Sequence, residues 1–160
     1  MKSRLIFVSA LVALVTAGCG QKDTSTTAGA APAGPREIDI TAGDTMKYDV
    51  TQIDAKPGEA LKVVLTNIGT QPVEVMGHDW VLLKAGSDVA AYDTAALTAK
   101  DTGYIPDSLK DEVVAQIGLL GPRKSGEADF TAPTAPGDYP FLCTFPAHYQ
   151  TGMKGTLTVK

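Results

Sequence analysis

The sequence predicts an all-β domain built as a two-layer sandwich. From residue 37 onward, short runs of alternating apolar and polar residues follow one another, and turns that contain glycine or proline separate them. One long segment, residues 84–111, interrupts this pattern, and no internal repeat is present. Many short strands with such turns are typical of two packed sheets. With 160 residues, the chain has room for one such domain plus a leader and a tail.

The strands of the first half start with Glu37-Ile-Asp-Ile, in which apolar residues alternate with acidic ones. In the next run, Met46, Tyr48 and Val50 share one face. Lys56-Pro57-Gly58-Glu59 is a turn signal between strands. The strands predicted in this half cover residues 37–40, 46–53, 61–67 and 80–83.

The second half begins after the interruption of the β pattern. Within residues 84–111, Ser87 or Asp88 could cap a short helix, and Gly103-Tyr104-Ile105-Pro106 would end it. Gly121-Pro122 is a turn signal between the strands that follow. The strands predicted in this half cover residues 113–119, 126–131, 138–143 and 155–159.

The first residues have the pattern of a secretory leader. A positively charged start, Met1-Lys-Ser-Arg4, precedes an apolar run over residues 5–15 that is too short for a permanent membrane span. The ending Ala17-Gly18-Cys19 is similar to a bacterial lipobox, in which the cysteine is lipidated and becomes the mature N-terminus. By analogy with Gram-negative sorting, Gly20 favours the outer membrane. A plain cleaved leader, with Cys19 discarded or unmodified, is the alternative.

Three segments are therefore expected. Residues 1–18 form a signal peptide, residues 19–36 comprise a lipidated cysteine and a flexible linker, and residues 37–160 form the folded domain. The linker is rich in Ala, Gly, Ser, Thr and Pro and cannot bury enough apolar surface to order itself. The formal net charge of −4, with no basic cluster, argues against a nucleic-acid partner. Two cysteines cannot make a disulfide framework.

The chemistry concentrates in the stretch that begins at Cys143 and continues through His148 to Met153. The chain has one other histidine, His78. A thiolate, two imidazoles and a distant thioether are the ligands of a mononuclear blue-copper site. Each residue alone is more often structural, since a single cysteine is commonly a small buried hydrophobe. Their combination in one loop, completed by the remaining histidine, predicts a copper site with one ion per chain.

Three segments of the chain resemble the azurins and auracyanins of the cupredoxin family. They are Gly-His-Asp-Trp-Val-Leu, Cys-Thr-Phe-Pro-Ala-His and Met-Lys-Gly-Thr-Leu-Thr-Val. Four residues separate His148 from Met153, one more than in azurin and similar to auracyanin. Asp79 stands where azurin has Asn, and no cysteine pair is available for azurin's disulfide.

The resemblance implies a Greek-key β-sandwich with a helical flap, expected at residues 89–100. It also implies that the Gly77 carbonyl lies opposite the axial Met153, and that residues beside the ligands brace them. Asp79, Thr144 and Phe145 are the candidates for that bracing. An ionised Asp79 would favour Cu(II) and lower the potential. A buried protonated carboxyl, or one that points to water, is the competing interpretation.

The resemblance further implies an electron carrier and not an enzyme. His148, with its imidazole edge at the surface, would be surrounded by an apolar patch of Met76, Pro146 and Ala147. Such a patch suits brief docking of redox proteins such as c-type cytochromes, oxidases or reductases. Core packing is the alternative for Met76 and Phe145, and core is the expectation for Trp80. The expected location is the periplasmic side of the cell envelope, on a lipid anchor. A copper storage or delivery lipoprotein is the alternative function.

Overall fold

The structure, a computed structural model, describes residues 34–160. The predicted signal peptide, Cys19 and most of the linker lie outside the described residues. Eight strands form the domain, and they confirm the predicted all-β class. Their bounds are β1 Arg36–Ala42, β2 Gln52–Ala55, β3 Ala60–Asn67, β4 His78–Leu83, β5 Val113–Leu120, β6 Ser125–Thr131, β7 Gly137–Leu142 and β8 Lys154–Val159.

Two sheets make the sandwich. One has three strands in the order β1-β3-β6, and the other has five in the order β2-β8-β7-β4-β5. The β1–β3 and β2–β8 pairs are parallel, and the other pairs are antiparallel. On β3, Leu61, Val63 and Leu65 alternate with more exposed residues and are fully buried. This period of two turns one face of the strand to the core, as the sequence pattern predicts.

Strand β4 departs from the alternating pattern because all six of its residues are buried. Trp80 and Leu82 belong to the main core between the sheets. Val81 and Leu83 point to the opposite face, where Tyr92 packs against them. The strand is therefore covered on both faces, and the prediction that Trp80 is a core residue is confirmed.

The helical segments are short. They comprise helices α1, Val73–Met76, and α2, Val89–Ala96, and 3-10 helices at Lys100–Thr102 and Asp107–Glu112. Helix α2 starts where predicted, because the Asp88 side chain accepts a hydrogen bond from Ala91 N at 3.0 Å. It ends four residues earlier than the predicted residue 100. Beyond it, Thr98 and Thr102 donate their hydroxyls back to carbonyl oxygens three residues earlier, an alternative to continued helix. Within residues 34–160, no helix has the length and apolarity to cross a membrane.

The predicted strand at residues 46–53 is wrong in its first part. Met46 has a positive φ of 53°, and its amide closes a turn onto the Gly43 carbonyl at 2.9 Å. Tyr48 makes only an isolated bridge to Ala42, and β2 begins at Gln52. The alternation nevertheless orients Tyr48 correctly, since its ring is buried in the core.

A buried asparagine connects the end of β3 to β5. Asn67 is 1% exposed; its Nδ2 donates to the Leu120 carbonyl at 3.0 Å and its Oδ1 accepts from Gly69 N at 2.8 Å. We expect Asn67→Ala to lower the free energy of unfolding by about 1–3 kcal/mol, because the buried Gly69 amide and the partly buried Leu120 carbonyl lose their partner. Urea denaturation measures this change. Gln71→Ala, at a neighbouring exposed site, is the control and should change stability by less than about 0.5 kcal/mol. Equal losses in both variants would contradict the assignment.

Candidate metal centre

Strand pairing brings the predicted ligands to one edge of the five-stranded sheet. Strands β4 and β7 are antiparallel, with Val81 opposite Leu142. The first residue of β4, His78, is therefore near the level at which β7 ends and Cys143 follows. The loop from β7 to β8 carries His148 and closes at Met153.

Three side chains meet there as a compact, buried group. The ligand atoms of His78, Cys143 and His148 all lie within 4.8 Å of one another. Cys143 Sγ lies 3.3 Å from His148 Nδ1, and the two imidazole ring centroids are 4.9 Å apart. None of the three side chains is more than 1% exposed. The donor set, one thiol and two imidazoles, is that of a trigonal copper site.

The donors of this group are poorly satisfied by the protein itself. Both ring nitrogens of His78 are buried, and neither has a hydrogen-bond partner among the described residues. Buried polar atoms without partners are rare in folded proteins, because each costs free energy. A cation held between the rings and the thiol would give one of the two His78 nitrogens a partner. This observation fits the residues to a metal ion.

The ionisation of the three groups supports the same conclusion. Burial lowers the pKa of His148 to about 4, aided by the neighbouring His78, and burial also lowers the pKa of His78. The backbone carbonyl of Gly43 favours the protonated His78 ring and so opposes part of the lowering of its pKa, although the two groups do not form a hydrogen bond. Both imidazoles are therefore neutral at pH 7, with lone pairs available to a metal. Burial raises the pKa of the Cys143 thiol, which makes thiolate unfavourable unless a cation replaces the proton.

The ligand loop is closed by backbone hydrogen bonds. Cys143 N donates to the Met153 carbonyl at 3.1 Å, and Met153 N donates to the His148 carbonyl at 3.0 Å. Ala147 and Gly152 take positive φ values of 71° and 96°, which turn the chain tightly on either side of these bonds. Met153 is fully buried in the same core cluster as Cys143. Backbone hydrogen bonds thus connect Cys143, His148 and Met153, the three loop residues predicted as ligands.

Asp79 is buried directly behind the group. Its carboxylate accepts from Thr144 N at 2.7 Å and from the Thr144 hydroxyl. Burial raises the pKa of Asp79 to about 6, and the two Thr144 hydrogen bonds oppose that rise. The Tyr48 hydroxyl donates to the Asp79 carbonyl. Asp79 therefore points to the ligand loop and not to water, which removes one of the alternatives left open by the sequence.

One expected feature of His148 is wrong. Its imidazole was expected to present an edge at the surface, but the residue is only 1% exposed. The Phe145 ring lies 4.8 Å from the imidazole centroid on one side, and His78 packs on another. Phe145 itself is 7% exposed and belongs to the core, where it also contacts Tyr104. Of the other predicted patch residues, Ala147 is exposed, while Met76 and Pro146 are half-buried.

Several contacts around the loop have no signal in the sequence. They connect the loop or its neighbour Asp79 to residues distant in the chain. The sequence pattern places Tyr48 only on one face with Met46 and Val50, and its hydroxyl contact to the Asp79 carbonyl depends on where the turn at residue 46 places it. The Lys47 ammonium donates to the Thr151 carbonyl, and the Gln150 amide donates to Asp93 of α2. Long-range pairs of this kind follow from the fold and not from local pattern.

Gly77 is packed too closely for a side chain. A Cβ at this position would lie 2.7 Å from the Val73 carbonyl oxygen and 2.8 Å from the Leu119 side chain. We expect Gly77→Ala to destabilise the metal-free protein by about 1–3 kcal/mol, because backbone next to His78 must move. Gly118→Ala is the matched control, since a Cβ there meets no atom within 4 Å. Denaturation of both variants measures the difference, and an unchanged stability for Gly77→Ala would refute this packing argument.

Comparison with known proteins agrees with this geometry. The model of the family described as copper binding proteins, plastocyanin/azurin family, matches residues 36–160. The chain is 46% identical to auracyanin-B of Chloroflexus aurantiacus over 51% of this chain, a match that spans 35% of that protein. It is 30% identical to auracyanin-A of the same organism over 79% of this chain and 75% of that protein. It is 32% identical to azurin of Pseudomonas denitrificans over 77% of this chain and 97% of that protein.

Solved structures extend the likeness to the fold. Auracyanin from Roseiflexus castenholzii, in a dithionite-reduced form, superimposes with a TM-score of 0.70 and 37% identity, covering 80% of this chain and 99% of that one. Auracyanin A of Chloroflexus aurantiacus, described as a "blue" copper protein, gives 0.70 and 31% identity over 79% and 100%. The cupredoxin-type sandwich expected from the sequence is confirmed. The chain therefore belongs to the plastocyanin/azurin family of copper-binding proteins.

Proposed function

We propose that this protein carries single electrons through one type 1 copper, held by Cys143, His78 and His148. Met153 would supply a fourth, weaker sulfur donor to that ion, and the Gly77 carbonyl could supply a further weak one. The observation that carries this proposal is the buried group of three donor atoms within 4.8 Å, two of them on neutral imidazoles. Copper supplies a one-electron couple between Cu(I) and Cu(II).

The protein's part is to hold these donors in place and keep water away. The three donor side chains are buried. His78 lies on β4, which is covered on both faces, and Cys143 directly follows β7, which is hydrogen-bonded to β4. Thr144 connects the ligand loop to Asp79, which follows His78 on β4. Donors fixed by such contacts need to move little between two charge states. A closed and rigid site supports an electron carrier and not a catalyst that must admit substrate.

The surface beside the site supports transient docking. Val75 is 58% exposed on α1, next to the half-buried Met76, and Ala147 is exposed on the ligand loop. Val75 and Met76 come shortly before His78 in the chain, and Pro146 and Ala147 directly precede His148, so apolar residues flank both histidines. A small apolar surface there would suit weak redox encounters. Because His148 is covered, an electron would cross this thin apolar layer. Redox proteins such as c-type cytochromes, oxidases or reductases fit as partners.

The proposed location is the periplasmic side of the cell envelope. The charged start, apolar run and small residues before Cys19 support a secreted lipoprotein. Acyl chains on Cys19 would hold the domain at a membrane, preferentially the outer one, through a tether that lets it reach partners. The same copper chemistry also suits storage or delivery, and the next experiment separates that function from electron transfer.

The visible spectrum tests the copper assignment. We expect the Cu(II)-loaded protein to be intensely blue and to give a reversible one-electron wave. Cys143→Ser should lose nearly all of the visible band, because the covalent bond of the thiolate to copper is its source. Cys19→Ser, the same change at the chain's other cysteine, should keep the colour. A colourless wild-type protein, or Cu(I) binding without a reversible wave, would favour storage or delivery.

The charge of Asp79 should set part of the potential. At pH 8, above the pKa of about 6, its carboxylate is negative and favours Cu(II). Asp79→Asn should therefore raise the potential by on the order of 100 mV, because it removes a buried negative charge beside the ligand loop. Voltammetry measures this shift. Asp49→Asn, at an exposed position, is the control for net charge and should give a much smaller shift. A potential that does not rise in Asp79→Asn defeats this hypothesis.

A further inference from the structure

The ligand loop is attached to the helical flap by a side-chain pair outside the metal group. Gln150 lies in the four-residue segment between His148 and Met153, and its Nε2 donates to the Asp93 carboxylate on α2. The two residues are 57 positions apart in the chain. This segment is the part of the loop that carries the extra residue relative to azurin.

Asp93 occupies an unusual place for a carboxylate. It is 2% exposed, on the buried face of α2 with Tyr92 and Ala96, and burial raises its pKa. Its Oδ1 has no hydrogen-bond partner among residues 34–160, so the Gln150 amide is the one side-chain donor to this carboxylate there. A buried carboxylate with so few partners does little for stability, because its desolvation is poorly offset. Its position therefore indicates a role other than stability.

Helix α2 is itself held in place by packing and by its N-cap. Tyr92, the neighbour of Asp93, packs with Val81, Leu83 and Leu142 in a buried cluster of its own. Leu142 immediately precedes Cys143, so the helix rests on the strands that carry the ligands. The Asp88 cap fixes the start of the helix. The hydrogen bond from Gln150 therefore connects the loop to a helix whose own position is fixed by packing.

The segment between His148 and Met153 also contacts two lysines outside α2. The Lys47 ammonium donates to the Thr151 carbonyl, and the Lys154 ammonium lies 4.5 Å from the centroid of the Tyr149 ring. Backbone bonds close its turn, with Thr151 N donating to the Ala147 carbonyl at 3.1 Å. Gln150 contributes the attachment to the flap. Without it, the segment would keep its turn and the packing of Tyr149 against the cluster that contains Tyr92, but it would lose its side-chain hydrogen bond to α2.

We propose that Asp93 and Gln150 are positioning residues, which fix the segment between His148 and Met153 and so fix the two ligands that this segment joins. The inference rests on the proposed copper function for its spectroscopic consequences. Partners that orient metal ligands from outside the coordination sphere commonly affect metal affinity by about 10–100-fold. Loss of this pair should therefore weaken copper binding by about tenfold and alter the copper spectrum.

The test compares single and double variants of the full protein. We expect Asp93→Ala and Gln150→Ala each to speed copper loss about tenfold and to change the Cu(II) hyperfine splitting in EPR spectra in the same way. The double variant should change no further, because both substitutions remove one interaction. Asp93→Asn retains an acceptor oxygen and should restore the wild-type values. Asp138→Ala is the matched control, since Asp138 also accepts from one side chain, Thr158, away from the site.

Amide hydrogen exchange in the copper-free protein gives a second readout. In both alanine variants, the amides of Thr151, Gly152 and Met153 should exchange about tenfold faster, while those of β3 should not change. If the wild-type protein binds no blue copper, the proposed function fails, and the exchange data still test the attachment. If Gln150→Ala, at an exposed position, leaves both exchange and spectrum at wild-type values, the positioning role is overturned whether or not Asp93→Ala folds.

Discussion

The structure depends on holding three side chains with metal-donor atoms together in a buried place where the protein gives them few hydrogen-bond partners. His78, Cys143 and His148 meet within 4.8 Å, and the two imidazoles are kept neutral by burial. Such an arrangement costs free energy in the absence of an ion, because polar atoms are desolvated without compensation. It persists because packing around it fixes the positions. The sandwich supplies that packing.

Antiparallel pairing of β4 with β7 makes His78 and Cys143, which are far apart in the sequence, neighbours in the fold. His78 and Cys143 are brought to one sheet edge by that register, and the hairpin loop adds His148 and Met153. All six residues of β4 are buried, so His78 is enclosed by packing on both faces of the strand. Thr144 donates a hydrogen bond to the Asp79 carboxylate, and Tyr48 donates one to the Asp79 backbone carbonyl. The position of the donor group thus depends on contacts across the domain, while Val75 nearby in the chain is 58% exposed.

Much of this could be predicted from the sequence, for identifiable reasons. Alternation with a period of two located the strands, and the residue types in the Cys143 loop, with one remaining histidine, indicated copper without any distance information. Local pattern failed where tertiary contacts decide. The turn at Met46 shortened a predicted strand, and the rings of Phe145 and His78 covered His148, which was expected to be exposed. The attachment of Gln150 to Asp93 depends on how α2 sits over the sheet, which no short-range pattern encodes.

X-ray absorption at the copper edge, on the same sample in its oxidised and reduced forms, tests the central claim most directly. A preformed and rigid site predicts one close sulfur and two nitrogen neighbours in both forms, with only small changes in their distances. A different set of neighbours in the two forms, or a copper without a close sulfur, would contradict the account.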